Sequence, residues 1–372
     1  MSRLVCGITM KTGFADLPLH PGKCPPWLFG RMRKLAGAVS ELVIHEYGQE
    51  EYLRRLADPF FFQSFGCLVG FDWHSSGLTT TLCGALKESV ALETHGVAVL
   101  GGKGKASRKT PQEIMEAAEQ LSFSTAKTEE LIYASRMAAK VDNSLVQDDY
   151  NLYHHTFILS EKGGWAVLQQ GMNDFNGYAR RYHWLSESVS SFIIEPHVAV
   201  CCDRTGMVIN MVARESDGAR GASIDLVRDN PRRLRKYFED PRQLTLFDDG
   251  SGFRMTRRHG INLGLRQYAR LMDLYEFQPR GYEEIVAFPG VGPKTIRSLA
   301  LLSELVYGEP PSWRDPAKYS FAHGGKDGFP YPVDKPIYDK TIGILEDAVR
   351  NAKLEGREKL DAIRRLRSYA GA

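Results

Sequence analysis

The chain has 372 residues, 43% of them hydrophobic and 25% charged, with a formal net charge of +3. That length suits two or three domains with substantial cores, and no low-complexity tract or internal repeat is present. The near-balanced charge excludes a uniformly basic coat, so any contact with nucleic acid must rest on local charge.

Six cysteines occur, at Cys6, Cys24, Cys67, Cys83, Cys201 and Cys202. None forms a Cys-x-x-Cys pair, which argues against a cysteine-rich zinc site. The vicinal Cys201 and Cys202 read as buried strand thiols. There is no signal-peptide pattern and no 18-residue apolar run, so a cytoplasmic, reducing setting without a membrane partner is the expectation.

In chain order, a turn-rich start around Leu17–Pro26 gives way to a helical pattern from Trp27 to about Tyr47. A second helix covers about Gln49 to Leu56 and stops at Asp58-Pro59. The apolar run Phe65–Phe71 leads into Asp72-Trp73-His74-Ser75-Ser76-Gly77, then a helix ends near Glu88. Val97–Leu100 reads as a buried strand that runs into Gly101-Gly102-Lys103-Gly104-Lys105. Thr110, Pro111 and Glu113 have the form of a capping box. A strand, a glycine- and lysine-rich loop and a helix start make a phosphate cradle, with Lys103 and Lys105 as DNA contacts. The alternative is a plain solvated loop, and the loop is no Walker A motif.

Helices fill about Gln112 to Ala139. A polar stretch follows, containing Lys140, Asp142, Asp148, Asp149, Tyr153, His154 and His155. Thr156–Leu159 and Trp165–Leu168 read as a β-hairpin across Gly163-Gly164. Apolar runs at Val198–Cys202 and Met207–Val212 complete the β-rich part. Residues 216–252 read as a linker carrying one basic helix. From Arg228 to Arg270 there are 11 Lys and Arg against 5 Asp and Glu, an excess able to neutralise phosphates. Phe253 to Ala372 reads as helical throughout.

The most specific signal lies in that last part. Phe288-Pro289-Gly290-Val291-Gly292-Pro293-Lys294-Thr295 separates two apolar helical stretches. The glycines give the turn backbone freedom, and Pro293 suits the first position of a helix. The N–H groups of that helix start can then receive a phosphate. This is the pattern of a helix-hairpin-helix, with Gly290, Val291, Gly292, Lys294 and Thr295 against the DNA backbone; an ordinary core hairpin is the alternative.

The same motif, followed by Val333-Asp334 ahead of another helix, resembles the helix-hairpin-helix superfamily of DNA glycosylases. The resemblance implies that Lys294 attacks the sugar while Asp334 assists. The intervening segment Tyr307–Pro332 and the Lys335-Pro336 pair depart from that pattern. Over nearly its whole length the chain also resembles a prokaryotic family, common in archaea, known only by a domain-of-unknown-function label. That likeness rests on Gly70–Gly77, Gly101–Gly104, Gln169–Met172, Arg180–Trp184 and Ser320–Asp334.

A second constellation lies in the N-terminal half: Asp72, His74, Asp142, Asp148, Asp149, His154, His155, His183, Glu195 and His197, with Lys103, Gln170, Arg180 and Arg181. Such groups suit a nuclease, in which a histidine or a divalent ion (Mg²⁺ or Mn²⁺) activates water. Asp72, His74, Asp148, His154, Gln170 and His183 are its candidate catalytic residues, and Arg180 and Arg181 its phosphate contacts. No metal-ligand spacing stands out. His154 and His155 are adjacent, so on a strand only one faces the site. Finally, Gln243-Leu244-Thr245-Leu246-Phe247 resembles the pentapeptide that docks bacterial DNA-processing proteins on the sliding clamp.

The expectation is therefore an α+β protein. A mixed α/β catalytic domain spans 1–215, a basic linker 216–252, and a helical, hairpin-bearing DNA-binding domain 253–372. Its function is DNA repair by glycosylase/lyase or nuclease chemistry, the alternative being a non-catalytic DNA-binding adaptor associated with the clamp.

Overall fold

The structure, a computed structural model, describes residues 24, 26–70, 77–175, 177–202, 205–234, 265–318, 335–352, 356 and 359–364. The first helices are α1 (Pro26–Tyr47), α2 (Gln49–Ala57), α3 (Pro59–Leu68) and α4 (Gly77–Ser89). Asp58 both ends α2 and begins α3. Its carboxylate accepts the N–H groups of Phe60 and Phe61 at 2.8 Å each, ahead of Pro59 at the first turn.

A short turn of helix, α5 (Leu92–His95), leads to strand β1 (Val97–Lys103). Helices α6 (Thr110–Gln120) and α7 (Thr125–Ser144) follow, then β2 (Val146–Gln147), β3 (Asn151–Ser160), β4 (Trp165–Asn173) and β5 (Tyr178–Leu185). Next come β6 (Ala199–Cys201), β7 (Met207–Asn210) and α8 (Asp217–Arg228). The C-terminal part contributes α9 (Leu265–Phe277), α10 (Tyr282–Ala287), α11 (Pro293–Leu302), β8 (Ser312–Arg314) and α12 (Lys335–Asn351).

Five strands form one antiparallel sheet in the order β1-β3-β4-β5-β6, and β2-β7-β8 form a second. The larger sheet separates two apolar cores, as the two-residue period of strands requires. Val97, Val99, Ile158, Ala166 and Leu168 face a core built with α1–α4 and α12. Leu100, Phe157, Leu159, Val167, Tyr182 and Trp184 face a core shared with α6–α11. Both faces are covered, so β3, β4 and β5 are buried along nearly their whole length.

Several expectations change here. The chain is a mixed α and β protein, but its C-terminal part is not helical throughout: β8 pairs with β7, Ser312 opposite Asn210 and Arg314 opposite Met207. Residues 217–228 of the expected linker are a packed helix, α8. Its Ala219, Ala222, Ser223, Leu226 and Val227 are buried, and its Ser223 hydroxyl lies 3.2 Å from that of Ser303 just beyond α11. α12 returns to the N-terminal core, where Leu345, Ala348 and Val349 pack with α1–α4. The capping box does not close. A 3-10 turn, Ala106–Lys109, precedes α6, and the Glu113 carboxylate instead accepts from the Gly101 N–H at 2.6 Å and the Lys87 ammonium at 2.7 Å. Gly101 and Gly102, read as loop, extend β1.

Candidate functional site

Two features stand close together on α7. The first is the turn between α10 and α11. Gly290 has φ +79, and its missing Cβ leaves room for the Arg270 guanidinium, whose Cζ would lie 2.5 Å from that atom. Gly292 precedes α11 and Pro293 opens it, with no side chain capping the helix start. Lys294 is exposed, whereas Thr295 and Val291 are buried.

The α10 side of the turn is held from α7. The Lys140 ammonium donates to the carbonyl oxygens of Val286, Ala287 and Phe288 at 2.7, 3.1 and 2.8 Å. Burial holds this amine below its ordinary value. Gln147 bridges the other side, donating to the Pro293 carbonyl at 2.9 Å and accepting from Arg297 at 2.6 Å.

The second feature is a cavity of about 260 Å³ between α7, β3 and the 3-10 turn. At its wall the Ser135 Oγ lies 2.9 Å from His155 Nε2, and His155 Nδ1 lies 2.9 Å from Gln169 Oε1. Gln169 Nε2 donates to Asp142 Oδ2, which also accepts from Trp184 Nε1 at 3.0 Å, and Asp142 Oδ1 pairs with His197 Nε2. Ser135 and Asp142 are seven residues apart on α7, two turns, and therefore share a helix face. His155 and Gln169 are partners in the β3–β4 register. Burial holds the His155 imidazole below its ordinary value, opposed by Gln169 and Asp142. Arg108 and Arg136 line the same cavity, both exposed, and among the described residues no carboxylate lines it.

The expected N-terminal cluster is divided by the sheet. His155, Asp142, Asp148, Arg180 and His197 bond with partners on the α7 face. His154, bonded to Thr156 at 2.9 Å, and Arg181, which donates to His183 Nε2 at 2.8 Å, to Gln63 and to Thr79, lie on the α1–α4 side. Gln170 pairs in register with both His154 and Arg181, and its amide donates to the Tyr153 hydroxyl. His154, His183 and Asp148 therefore do not converge. Burial also holds both histidines low, His154 to about 3.

Arg180 and Arg181 are 1% and 0% exposed, which removes them as surface phosphate contacts. Arg180 instead bridges Asp148 at 2.9 Å and Asp315 at 2.7 Å, beside a second cavity of about 170 Å³. Lys103 and Lys105 are exposed near the 260 Å³ cavity, on β1 and just after it. Lys294 stands in solvent, so the dry environment that would turn it into a nucleophile is not there. Asp72, His74, Asp334 and Gln243–Phe247 lie outside the described residues.

Among the described residues no three His, Cys, Asp or Glu side chains come together to hold a metal ion. None of their helices is long and apolar enough to cross a membrane. Sequence reading passed over Ser135, Gln169 and Arg136. The seven-residue spacing of Ser135 and Asp142, and the strand alternation that pairs His155 with Gln169, were the available signals.

Residues 13–333 match the family described as "Protein of unknown function (DUF763)", and the chain belongs to that family. No curated protein and no solved structure matches the chain.

Proposed function

We propose that this member of the family is a DNA-binding enzyme that grips the duplex backbone with the α10–α11 turn and acts on damaged or structured DNA. One observation carries the reading. Lys140 occupies the carbonyls at the end of α10, while the start of α11 is left without a side-chain cap beside the exposed Lys294. The partial negative charge at one side of the turn is thus neutralised from within, and the partial positive charge at the other is left for an anion. Arg270, packed against Gly290, is paired with Asp273 at 2.9 Å.

Of the two chemistries expected, attack on the phosphodiester is better supported than attack on the sugar by Lys294. Lys294 is exposed, a position that suits contact with a phosphate and lacks the dry surroundings of a nucleophilic amine. The buried Ser135 hydroxyl and Arg136 lie on α7, which also holds the turn, beside the His155 imidazole of β3 and Arg108 of the 3-10 turn.

The test is fluorescence anisotropy with labelled duplexes of two unrelated sequences. The affinity is expected to fall steeply from roughly 50 to 200 mM salt and to be alike for both. Lys294→Ala should weaken both equally and reduce the salt slope by about one. Absence of duplex binding, or binding indifferent to both salt and Lys294, would overturn the reading.

A further inference from the structure

The cavity between α7 and β3 contains more than an anion needs. Its arginines, Arg108 and Arg136, would suffice for charge, yet Ser135 and His155 sit in its wall as a hydrogen-bonded pair at 2.9 Å. The proton positions in that pair follow from Asp142. Trp184 Nε1 can only donate, so Asp142 Oδ2 is an acceptor; the Gln169 group facing that oxygen is the amide N–H and the group facing His155 the amide oxygen. That oxygen requires a proton on His155 Nδ1. His155 Nε2 is then a bare lone pair pointing at the Ser135 hydroxyl.

This is the arrangement of an activated serine: nucleophile, base, and an orienting group on the far nitrogen of the base. It is fixed by two rigid elements, α7 and the β3–β4 pair, and is not borne on a loop. A network that served only to satisfy buried polar groups would need neither an opening nor cations at its edge.

We infer that Ser135 is the nucleophile and His155 the general base of a phosphodiester-cleaving site. Its substrate is the sugar–phosphate backbone of the duplex held at the α10–α11 turn, so this assignment rests on the DNA-binding reading. The geometry connects the two. Arg136 and Lys140 are one helical turn apart on α7, about 6 Å along its axis, and Lys140 holds the turn. A phosphate at the turn and one in the cavity can belong to one substrate.

The reaction balances without an added reactant other than water. The Ser135 proton passes to His155 Nε2 as Oγ bonds to phosphorus. The phosphorus–oxygen bond to one strand end breaks, and His155 returns the proton to the departing alkoxide. Water then gives a proton to His155 Nε2 and attacks phosphorus. The phosphorus–Oγ bond breaks, and Ser135 recovers its proton. One phosphodiester and one water become a phosphomonoester end and a hydroxyl end. The guanidinium groups of Arg108 and Arg136 are placed to stabilise the charge that develops on the phosphoryl oxygens.

The experiment uses the full chain and a fluorophosphonate probe, which traps an activated serine by forming the same bond to phosphorus with loss of fluoride. Digestion and mass spectrometry should place the adduct on Ser135. Labelling should disappear in Ser135→Ala and slow by roughly a hundredfold or more in His155→Ala. Nicking of a labelled duplex should vanish in Ser135→Ala while anisotropy still reports the parent's duplex affinity, which also shows that the variant is folded. An unlabelled Ser135 in the parent protein, or nicking that survives Ser135→Ala, would overturn the assignment. Labelling of Ser135 in a protein that binds no duplex would overturn the DNA substrate and leave the nucleophile standing. Duplex binding without labelling would do the reverse.

Discussion

The Lys140 ammonium donates to the Phe288 carbonyl oxygen at 2.8 Å, tying the C-terminal turns of α7 to the turn between α10 and α11. The same three-proton group also serves Val286 and Ala287, whose carbonyls end α10, while the Phe288 carbonyl also accepts from the Val291 N–H at 3.2 Å. α7 thereby fixes the turn relative to the larger sheet.

Lys140→Met keeps the aliphatic stem and removes the donors. The Val286 and Ala287 carbonyls then lose this donor while Phe288 keeps the Val291 N–H, and the loss should be about 2 kcal/mol of stability. It should also weaken duplex binding, because the uncovered carbonyls restore negative charge to the turn. Urea unfolding and anisotropy on the same sample measure both. Unchanged duplex affinity would detach Lys140 from the binding surface.

Gly101→Ala probes the other end of the α7 assembly. Gly101 has φ +84, and a Cβ there would stand 2.4 Å from the His155 carbonyl oxygen and 2.5 Å from Thr110 Oγ1. The carbonyl is backbone and cannot swing aside, so β1 must shift away from β3. The expected cost is about 1–3 kcal/mol, with loss of the Ser135–His155 alignment. Amide exchange at β1 should quicken, and probe labelling of Ser135 should fall with it.

How much of this could be read from the sequence depends on the range of the interaction. Local signals were legible. Asp58-Pro59 marked a helix end because cap and proline act within three residues, and Gly163-Gly164 marked a β-hairpin for the same reason. The α10–α11 turn was legible because its glycines and proline carry the geometry themselves. Glu113 misled: it had a local cap to make, and the distant Gly101 N–H and Lys87 took it instead. α8 was hidden because its charges suggest a linker, whereas its alanines and Ser223 pack against elements about 80 residues away. The N-terminal polar cluster could be seen as a list but not divided between sheet faces, since the division requires the register of four strands. The spacing of Ser135 and Asp142 marks one face of α7, but only the placement of His155 beside Ser135 gives that face a chemistry.

Acid should destabilise the protein from a definite pH. Burial holds His154 at about 3 in the folded chain, against 6.5 when exposed. Between those values the unfolded chain binds one more proton, so stability rises with pH through the window and is flat above 6.5 for this group. As pH falls below 6.5 the slope is at most about 1.4 kcal/mol per pH unit for one site. His155 and His183 are shifted in the same direction by burial and steepen it. Urea midpoints at about pH 7 and pH 5 should differ markedly in the parent, and less in His154→Gln. An equal difference in both would remove His154 from the acid transition.

Arg180 separates an internal role from a nucleic-acid contact. Its guanidinium is 1% exposed and joins β5 to Asp148 after β2 and to Asp315 after β8, with Tyr150 stacked at 4.6 Å. Burial raises the Asp148 carboxyl above its ordinary range, and Arg180 and the Tyr182 hydroxyl oppose that. Arg180→Met leaves two carboxylates without their guanidinium in a largely buried site, which should cost about 3–5 kcal/mol. Arg180→Lys should recover only part of this, because one ammonium cannot span both carboxylates in the guanidinium's geometry. A DNA contact would behave in the opposite way: stability intact, duplex affinity reduced, and a salt slope smaller by about one. Calorimetry and anisotropy on Arg180→Met decide between the two. Lost stability with an unchanged salt slope is the expected result, because the charges that Arg180 neutralises lie inside the protein.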